Sequence, residues 1–191
     1  MSLTDGQIME RVLAGQVELF EELVQRHRSA LLRVATSKLR HSALAEEAVQ
    51  DAFLFAYARR LTFNPTYSFR GWLWTILLNV CRTLARREFG RADRADGGRT
   101  DFAECEPIDD NDDALRRLMQ VERSELLGQL LEALPEVQAD ALRLRFFGGL
   151  KFEEIAQAMG SSLTGAKQRV RRGLENLGAA IRFAEDDHGQ S

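Results

Sequence analysis

Between Arg91 and Asp113 the sequence offers a hydrophobic core almost nothing. Phe102 and Ile108 are its large apolar residues, and Gly97-Gly98, Pro107 and the cluster Asp109-Asp110-Asn111-Asp112-Asp113 interrupt any periodicity. Residues 88 to 113 carry 3 Lys/Arg against 10 Asp/Glu, a net charge of −7. A stretch so polar and self-repelling cannot bury enough surface to fold, and it reads as a flexible acidic linker. The 191 residues are therefore expected to form two small domains, 1–90 and 114–185, joined by 91–113.

The overall net charge of −3 conceals a segregation of sign. Residues 1 to 87 hold 12 Lys/Arg against 8 Asp/Glu (net +4), and residues 135 to 182 hold 8 against 5 (net +3). Two basic blocks flanking an acidic connector keep a nucleic-acid partner open despite the acidic average. The two cysteines, Cys81 and Cys105, form no Cys-x-x-Cys pair, and three histidines are scattered. A zinc site or a disulfide framework is not expected, so the reading includes no metal and no cofactor. No apolar run approaches the roughly 18 residues that cross a bilayer, and the first ten residues lack a basic or apolar leader, so a cytoplasmic protein without membrane insertion is expected.

Outside the connector, apolar residues recur at helical spacing. They run through Ile8, Val12 and Leu13, then Phe20, Leu23 and Val24, then Leu31, Leu32, Ala35 and Leu39. Leu44, Ala48, Ala52, Phe53, Phe55 and Ala56 mark another helix, which must stop before Asn64-Pro65 because the residue ahead of a proline is pushed out of the α region. After a loop from Thr62 to Ser68, one stripe holds Phe69, Trp72, Leu73, Ile76, Leu77, Val80 and Leu84 on a helix ending in Arg86-Arg87. The spacing predicts a bundle of about four helices. Trp72 lies on the stripe and reads as core; Trp74 falls off it and reads as exposed. Cys81 is expected in the core as a small hydrophobe.

The second block should open with a helix from about Asp113 to Leu134, with Pro135 suited to the first position of the next. That helix carries Val137, Ala141, Leu142, Leu144 and Phe146 to a stop at Gly148-Gly149. A short helix from Phe152 to Met159 ends at Gly160, and Ser162 is placed to cap a last helix from about Leu163 through Arg182. Two helices joined by a glycine turn form a helix-turn-helix, and the whole chain reads as all-α. In the last helix Ala166, Val170, Leu174 and Leu177 face inward, which directs Thr164, Lys167, Gln168, Arg169, Arg171 and Arg172 outward. That face suits direct readout of a major groove, since Gln can pair with adenine and Arg with guanine.

With these residues in place, the chain resembles bacterial RNA polymerase sigma factors of the extracytoplasmic-function (ECF) subfamily of the sigma-70 family, over nearly its whole length. Leu134-Pro135, Leu144-Arg145-Phe146-Phe147, Gly149-Leu150, Glu153-Glu154-Ile155-Ala156, Gly160 and Lys167-x-Arg169 are similar to that family's fourth region. Phe20-Glu21-Glu22-Leu23, Ala45-Glu46-Glu47, Gln50-Asp51-x-Phe53 and Phe69-x-x-Trp72-Leu73-x-x-Ile76-x-x-Asn79 are similar to its second region. The resemblance implies that the first domain grips core polymerase and melts the minus-ten element, while the second binds the minus-thirty-five element.

Residue by residue, it assigns Glu46, Glu47, Gln50, Asp51 and Phe53 to the clamp of the polymerase's largest subunit. Asn64, Thr66, Tyr67 and Ser68 become the loop that captures a flipped base, joined by Trp74, Asn79, Arg82, Arg86 and Arg87 along the melted element. Ser162, Thr164, Lys167, Gln168, Arg169, Arg171 and Arg172 become the minus-thirty-five contacts. The implied partners are promoter DNA, core RNA polymerase (including the flap of its second-largest subunit) and an anti-sigma factor as a further candidate. The factor would be nucleoid-associated when in holoenzyme, with the acidic connector threading the polymerase's basic channel.

Three positions depart from the family pattern: Lys151 where a serine commonly caps the first helix of the turn motif, Thr164-Gly165-Ala166 at the start of the recognition helix, and Thr83 four residues after Asn79. A missing cap costs about 1 kcal/mol, so the helix at Lys151 must be held some other way or start weakly. An ordinary helix-turn-helix regulator with a dimerising or sensing N-terminal bundle explains residues 135 to 182 equally well, but not the Trp72-Leu73 and Asn79 pattern. An enzyme finds no support, since the chain has no Gly-rich phosphate loop and no nucleophile with a plausible neighbouring base.

Overall fold

A computed structural model describes residues 3–89 and 125–188 of the chain. The expected linker 91–113, Cys105 and the start of the helix expected from Asp113 lie outside the described residues. The first block forms α1 (Asp5–Leu13), α2 (Phe20–Leu39), α3 (Ser42–Ala58) and α4 (Phe69–Phe89), with 3₁₀ turns at Val17–Leu19 and Arg60–Thr62. Thr4 opens α1 reciprocally: its hydroxyl accepts the Gln7 N–H at 3.3 Å while the Gln7 side chain accepts the Thr4 N–H at 2.9 Å. Ile8, Val12, Leu23, Leu31, Ala45, Ala52, Leu73 and Leu77 are buried at the centre of the bundle, in accord with the four-helix expectation.

The second block forms α5 (Glu125–Glu132), α6 (Glu136–Leu142), α7 (Phe152–Ala158) and α8 (Leu163–His188). Pro135 stands one step outside α6 as its cap. α6 runs on into a π-helical stretch, Arg143–Phe147, before Gly148. Leu131, Leu142, Leu144, Leu150, Ile155, Ala166 and Val170 fill the core between these helices. Among the described residues there is no strand, so the fold is all-α as expected.

The two blocks pack against one another: α7 lies on α4, and the π-helical stretch lies on α2. This packing reverses the expectation for the tryptophans. Trp74 is fully buried, because the second domain closes over it at Gly148, where a Cβ would come within 3.2 Å of the Trp74 ring. Trp72 is only partly buried, stacked in a cluster with Phe63 and Phe69 at centroid distances of 5.3 and 5.9 Å. Cys81 is buried as expected, and that burial pushes its thiol up to about 12.

α1 is pinned to α2 by Asp5, which lies 2.7 Å from His27 Nε2 and 3.0 Å from the Arg26 guanidinium. The hydrogen bond to His27, working against desolvation and helped by Arg26, holds the Asp5 carboxyl below its ordinary value. A carboxyl lowered in the folded state adds stability that is present above the unfolded value near pH 4 and is lost as pH falls through the folded value. Asp5→Asn is therefore expected to lower the unfolding free energy by about 1–2 kcal/mol at pH 7. In denaturant titrations the gap to wild type should narrow as pH drops below about 4.

Candidate nucleic-acid interface

The helix-turn-helix is built by local rules. α7 ends with Gly160 in a left-handed conformation (φ 58°), which lets the Ser161 N–H reach the Ala156 carbonyl at 2.9 Å and the Gly160 N–H reach Gln157 at 3.2 Å. Those two bonds satisfy the orphan carbonyls and turn the chain sharply. Ser162 then caps α8 as expected, its hydroxyl accepting the Gly165 N–H at 3.0 Å. At the other end of α7, the Lys151 ammonium cannot accept a hydrogen bond. The helix start is held by the reverse contact, in which the Glu154 carboxylate accepts the Lys151 N–H at 2.9 Å.

On α8, Ser162, Thr164, Arg171 and Arg172 are exposed, whereas Lys167, Gln168 and Arg169 are half-buried. Of the six side chains expected to project outward, Lys167, Gln168 and Arg169 do so only in part. Lys167 leans back toward the Phe152 ring of α7, its ammonium 5.9 Å from the centroid, and one terminal nitrogen of Arg169 is buried. Arg171 is steadied by Glu175 at 3.0 Å, one turn along. Asn176 bonds Gln138 at 2.8 Å and so fixes α8 against α6.

In the first domain the loop before α4 is preset. The Asn64 side-chain oxygen accepts the Thr66 N–H at 3.0 Å and the Thr66 hydroxyl at 2.8 Å, an Asx turn, and the Tyr67 N–H bonds Asn64 O at 3.0 Å. Phe63 anchors its base in the core, while Asn64, Thr66, Tyr67 and Ser68 stay exposed, Tyr67 by 60%. Along α4, positions 79, 82 and 86 share a face, with Asn79 accepting from Arg82 at 2.9 Å and Arg86 exposed. Arg87 pairs with Glu47 of α3 at 3.0 Å. Trp74, assigned to the same element from sequence, is instead sealed beneath the second domain.

On α3, Glu46 and Gln50 are exposed, and Glu47 and Asp51 are half-buried. Phe53 faces the core and is 8% exposed, a correction to its assignment as a surface contact: it follows Val49 by one turn on the buried face. The side chain that the sequence reading passed over is Leu54, 58% exposed and one turn beyond Gln50, so that Glu46, Gln50 and Leu54 form a continuous ridge. The i, i+4, i+8 spacing contained that signal, but Leu54 was hidden inside an apolar run. An open cleft of about 670 Å³ lies where the domains meet, lined by Asp5, Ser68, Arg70, Lys151, Glu153 and Glu154. Among the described residues no cluster of His, Cys, Asp and Glu could hold a metal ion.

Because Lys151 supplies no acceptor, Lys151→Ser adds one for the free N–H groups of α7. The variant is expected to raise the unfolding free energy by about 0.5–1 kcal/mol, read as a higher denaturation midpoint.

Comparison with known proteins places these features. The family model described as sigma-70 region 2 matches residues 23–89, and that described as sigma-70, region 4 matches residues 124–177. The chain is 34% identical over 174 residues to RNA polymerase sigma factor CarQ of Myxococcus xanthus, covering 88% of this chain and 92% of that protein. It is 30% identical over 182 residues to the ECF RNA polymerase sigma-E factor of Escherichia coli K12, covering 92% and 93%. Its fold is similar to CnrH, solved in complex with the cytosolic domain of CnrY, with a TM-score of 0.69 at 25% identity, covering 93% of this chain and 97% of that one. With both regions matched in order, and relatives similar over nearly their whole length, the chain belongs to the ECF branch of the sigma-70 family, the sigma factors that direct RNA polymerase to promoters.

Proposed function

We propose that the division of labour runs by residue as follows. The ridge Glu46, Gln50 and Leu54 on α3 docks on the clamp of core polymerase. The preset loop Asn64, Thr66, Tyr67 and Ser68 takes a base flipped from the minus-ten element, and Asn79, Arg82 and Arg86 follow the adjacent strand. Thr164, Arg171 and Arg172 reach the minus-thirty-five duplex, with Lys167, Gln168 and Arg169 swinging out to join them. The supporting observation is that a polar-aromatic loop and a capped basic helix sit on separate domains, each too small a surface to hold DNA tightly alone.

Phosphates and base edges recruit these side chains by charge and hydrogen bonding. The chain itself makes and breaks no covalent bond in this reading, and it works in the cytoplasm wherever polymerase is. Among the described residues no helix is long and apolar enough to cross a membrane. An anti-sigma factor is the natural external regulator, as two structural relatives were solved with proteins bound: CnrH with the cytosolic domain of CnrY, and the Bartonella quintana sigma factor RpoE with the anti-sigma factor NepR.

Mixed with core RNA polymerase, the protein is expected to comigrate with it and to yield transcripts from one promoter class, while binding the same duplex weakly alone. Tight dimeric binding to DNA without polymerase would overturn this reading. Arg172→Ala is expected to cost about 1–3 kcal/mol of upstream-element recognition while leaving polymerase binding intact. Replacing Asn64 and Tyr67 with alanine should alter base preference at the melted element, scored on promoters varied one base at a time. Unchanged preference would return the loop to a plain connection.

A further inference from the structure

The ring of Phe152 holds two cations. The Arg145 guanidinium lies 4.8 Å from its centroid and the Lys167 ammonium 5.9 Å. The three side chains come from three segments of the second domain: Arg145 from the π-helical stretch, Phe152 from the first position of α7, and Lys167 from the second turn of α8. Half-buried Phe152 packs against the core as well, so it ties the recognition helix to the segments ahead of it through cationic heads in addition to apolar contact.

The backbone that carries each group is fixed. Glu154 accepts the Lys151 N–H at the start of α7, and Ser162 caps α8 at the Gly165 N–H. Arg145 is also held at its far end, where one terminal nitrogen donates to Leu150 O at 3.0 Å. Lys167 is held more simply. Among the described residues it makes no ion pair, and the ring contact alone directs its ammonium from beside the buried row of Ala166 and Val170.

The two holds differ in strength, and the difference decides which head can leave. A cation is drawn to an aromatic face within about 6 Å of the centroid, so Arg145 sits well inside that reach and Lys167 at its edge. Two like charges on one ring also repel, and the more weakly held head yields first. An ammonium at the rim, on a stem still lying along the ring, can turn to an acceptor on a base edge without the whole side chain becoming free. A free lysine would sample many rotamers and settle on phosphates, which carry the charge of the duplex.

We propose that Phe152 is a specificity-determining positioning residue for the upstream element: its ring restricts the Lys167 head to a base edge and keeps it off the phosphate backbone. The proposal rests on the assignment of Lys167 to that element made above. Phe152 acts through Lys167, so the effects of replacing the two must be coupled.

The test uses the full chain in holoenzyme with core RNA polymerase, on the promoters it transcribes, with the upstream element varied one base pair at a time. Lys167→Ala marks the base pair that Lys167 reads, as the one whose discrimination it lowers. Phe152→Leu keeps an apolar side chain without an aromatic face. It should lower discrimination at that same base pair about three- to tenfold and leave the other positions as in wild type. It should also steepen the salt dependence of promoter binding by about one phosphate contact. Phe152→Tyr should keep the wild-type pattern, and in the Lys167→Ala background Phe152→Leu should add nothing. If circular dichroism shows that Phe152→Leu has lost helix, Phe152→Met carries the same expectations. A purely structural Phe152 would instead lower transcription uniformly across the varied promoters. That result, an unchanged pattern, or an equal loss with and without Lys167 would overturn the proposal. So would a silent Lys167→Ala, and Arg172→Ala, run beside it, then decides whether the upstream-element reading itself stands.

Discussion

A helix whose apolar residues exceed one stripe must be covered on more than one side, and α4 is such a helix. Phe69, Leu73, Leu77, Val80 and Leu84 satisfy the first domain, yet Gly71, Trp74, Leu78 and Cys81 are buried as well. Gly71 and Thr75 lie against Gln157 of α7, and Trp74 lies beneath Gly148. Left uncovered, this second stripe would expose an indole and its neighbours to water, so the same helix that carries the candidate strand contacts at its C-terminal half demands a cover at its N-terminal half. That demand draws the second domain down.

Charge then decides how the cover sits. Apolar surfaces slide, whereas Lys38 between Glu136 and Asp140 has one position, because a displaced ammonium or carboxylate would be left desolvated and alone. Burial alone would raise the Glu136 carboxyl, but the Lys38 hydrogen bond and charge, with Arg82 and Arg143 beyond, outweigh it and hold Glu136 below its ordinary range. The cluster is therefore ionised at neutral pH on the Glu136 side. The C-terminal domain accordingly has two electrostatic faces: carboxylates toward its sister domain, and the exposed cations Arg171 and Arg172 on the outer side of α8.

Much of the architecture was legible before the structure. Helical periodicity placed the four helices of the first domain, and glycine and serine chemistry placed the turn motif at Gly160 and Ser162, because those signals are local. Burial set by the other domain was not legible. Trp74 lies off the first stripe of α4, and its cover, Gly148, stands 74 positions away. A reading confined to one helix at a time had no means of pairing them, although Trp74, Leu78 and Cys81 do share a second helical row. On α3 the apolar set rightly included Phe53, but Phe55 of the same set is exposed and Leu54 was not placed, because within an unbroken apolar run composition cannot say which neighbour faces out. On α8 the direction of the helix face was right, but long side chains fold back along apolar surface, as Lys167 does toward Phe152.

The proposed roles put the minus-ten loop on one domain and the recognition helix on the other, so that reading both promoter elements at once requires the packed domains to separate. Resonance energy transfer between dyes at Glu18 and Glu175, placed in a Cys105→Ser background where buried Cys81 resists labelling, follows this directly. The free protein should show high transfer, and addition of core polymerase should lower it in proportion to the holoenzyme formed. High transfer that persists in a holoenzyme producing promoter-specific transcripts, or low transfer in the free protein, would contradict the account.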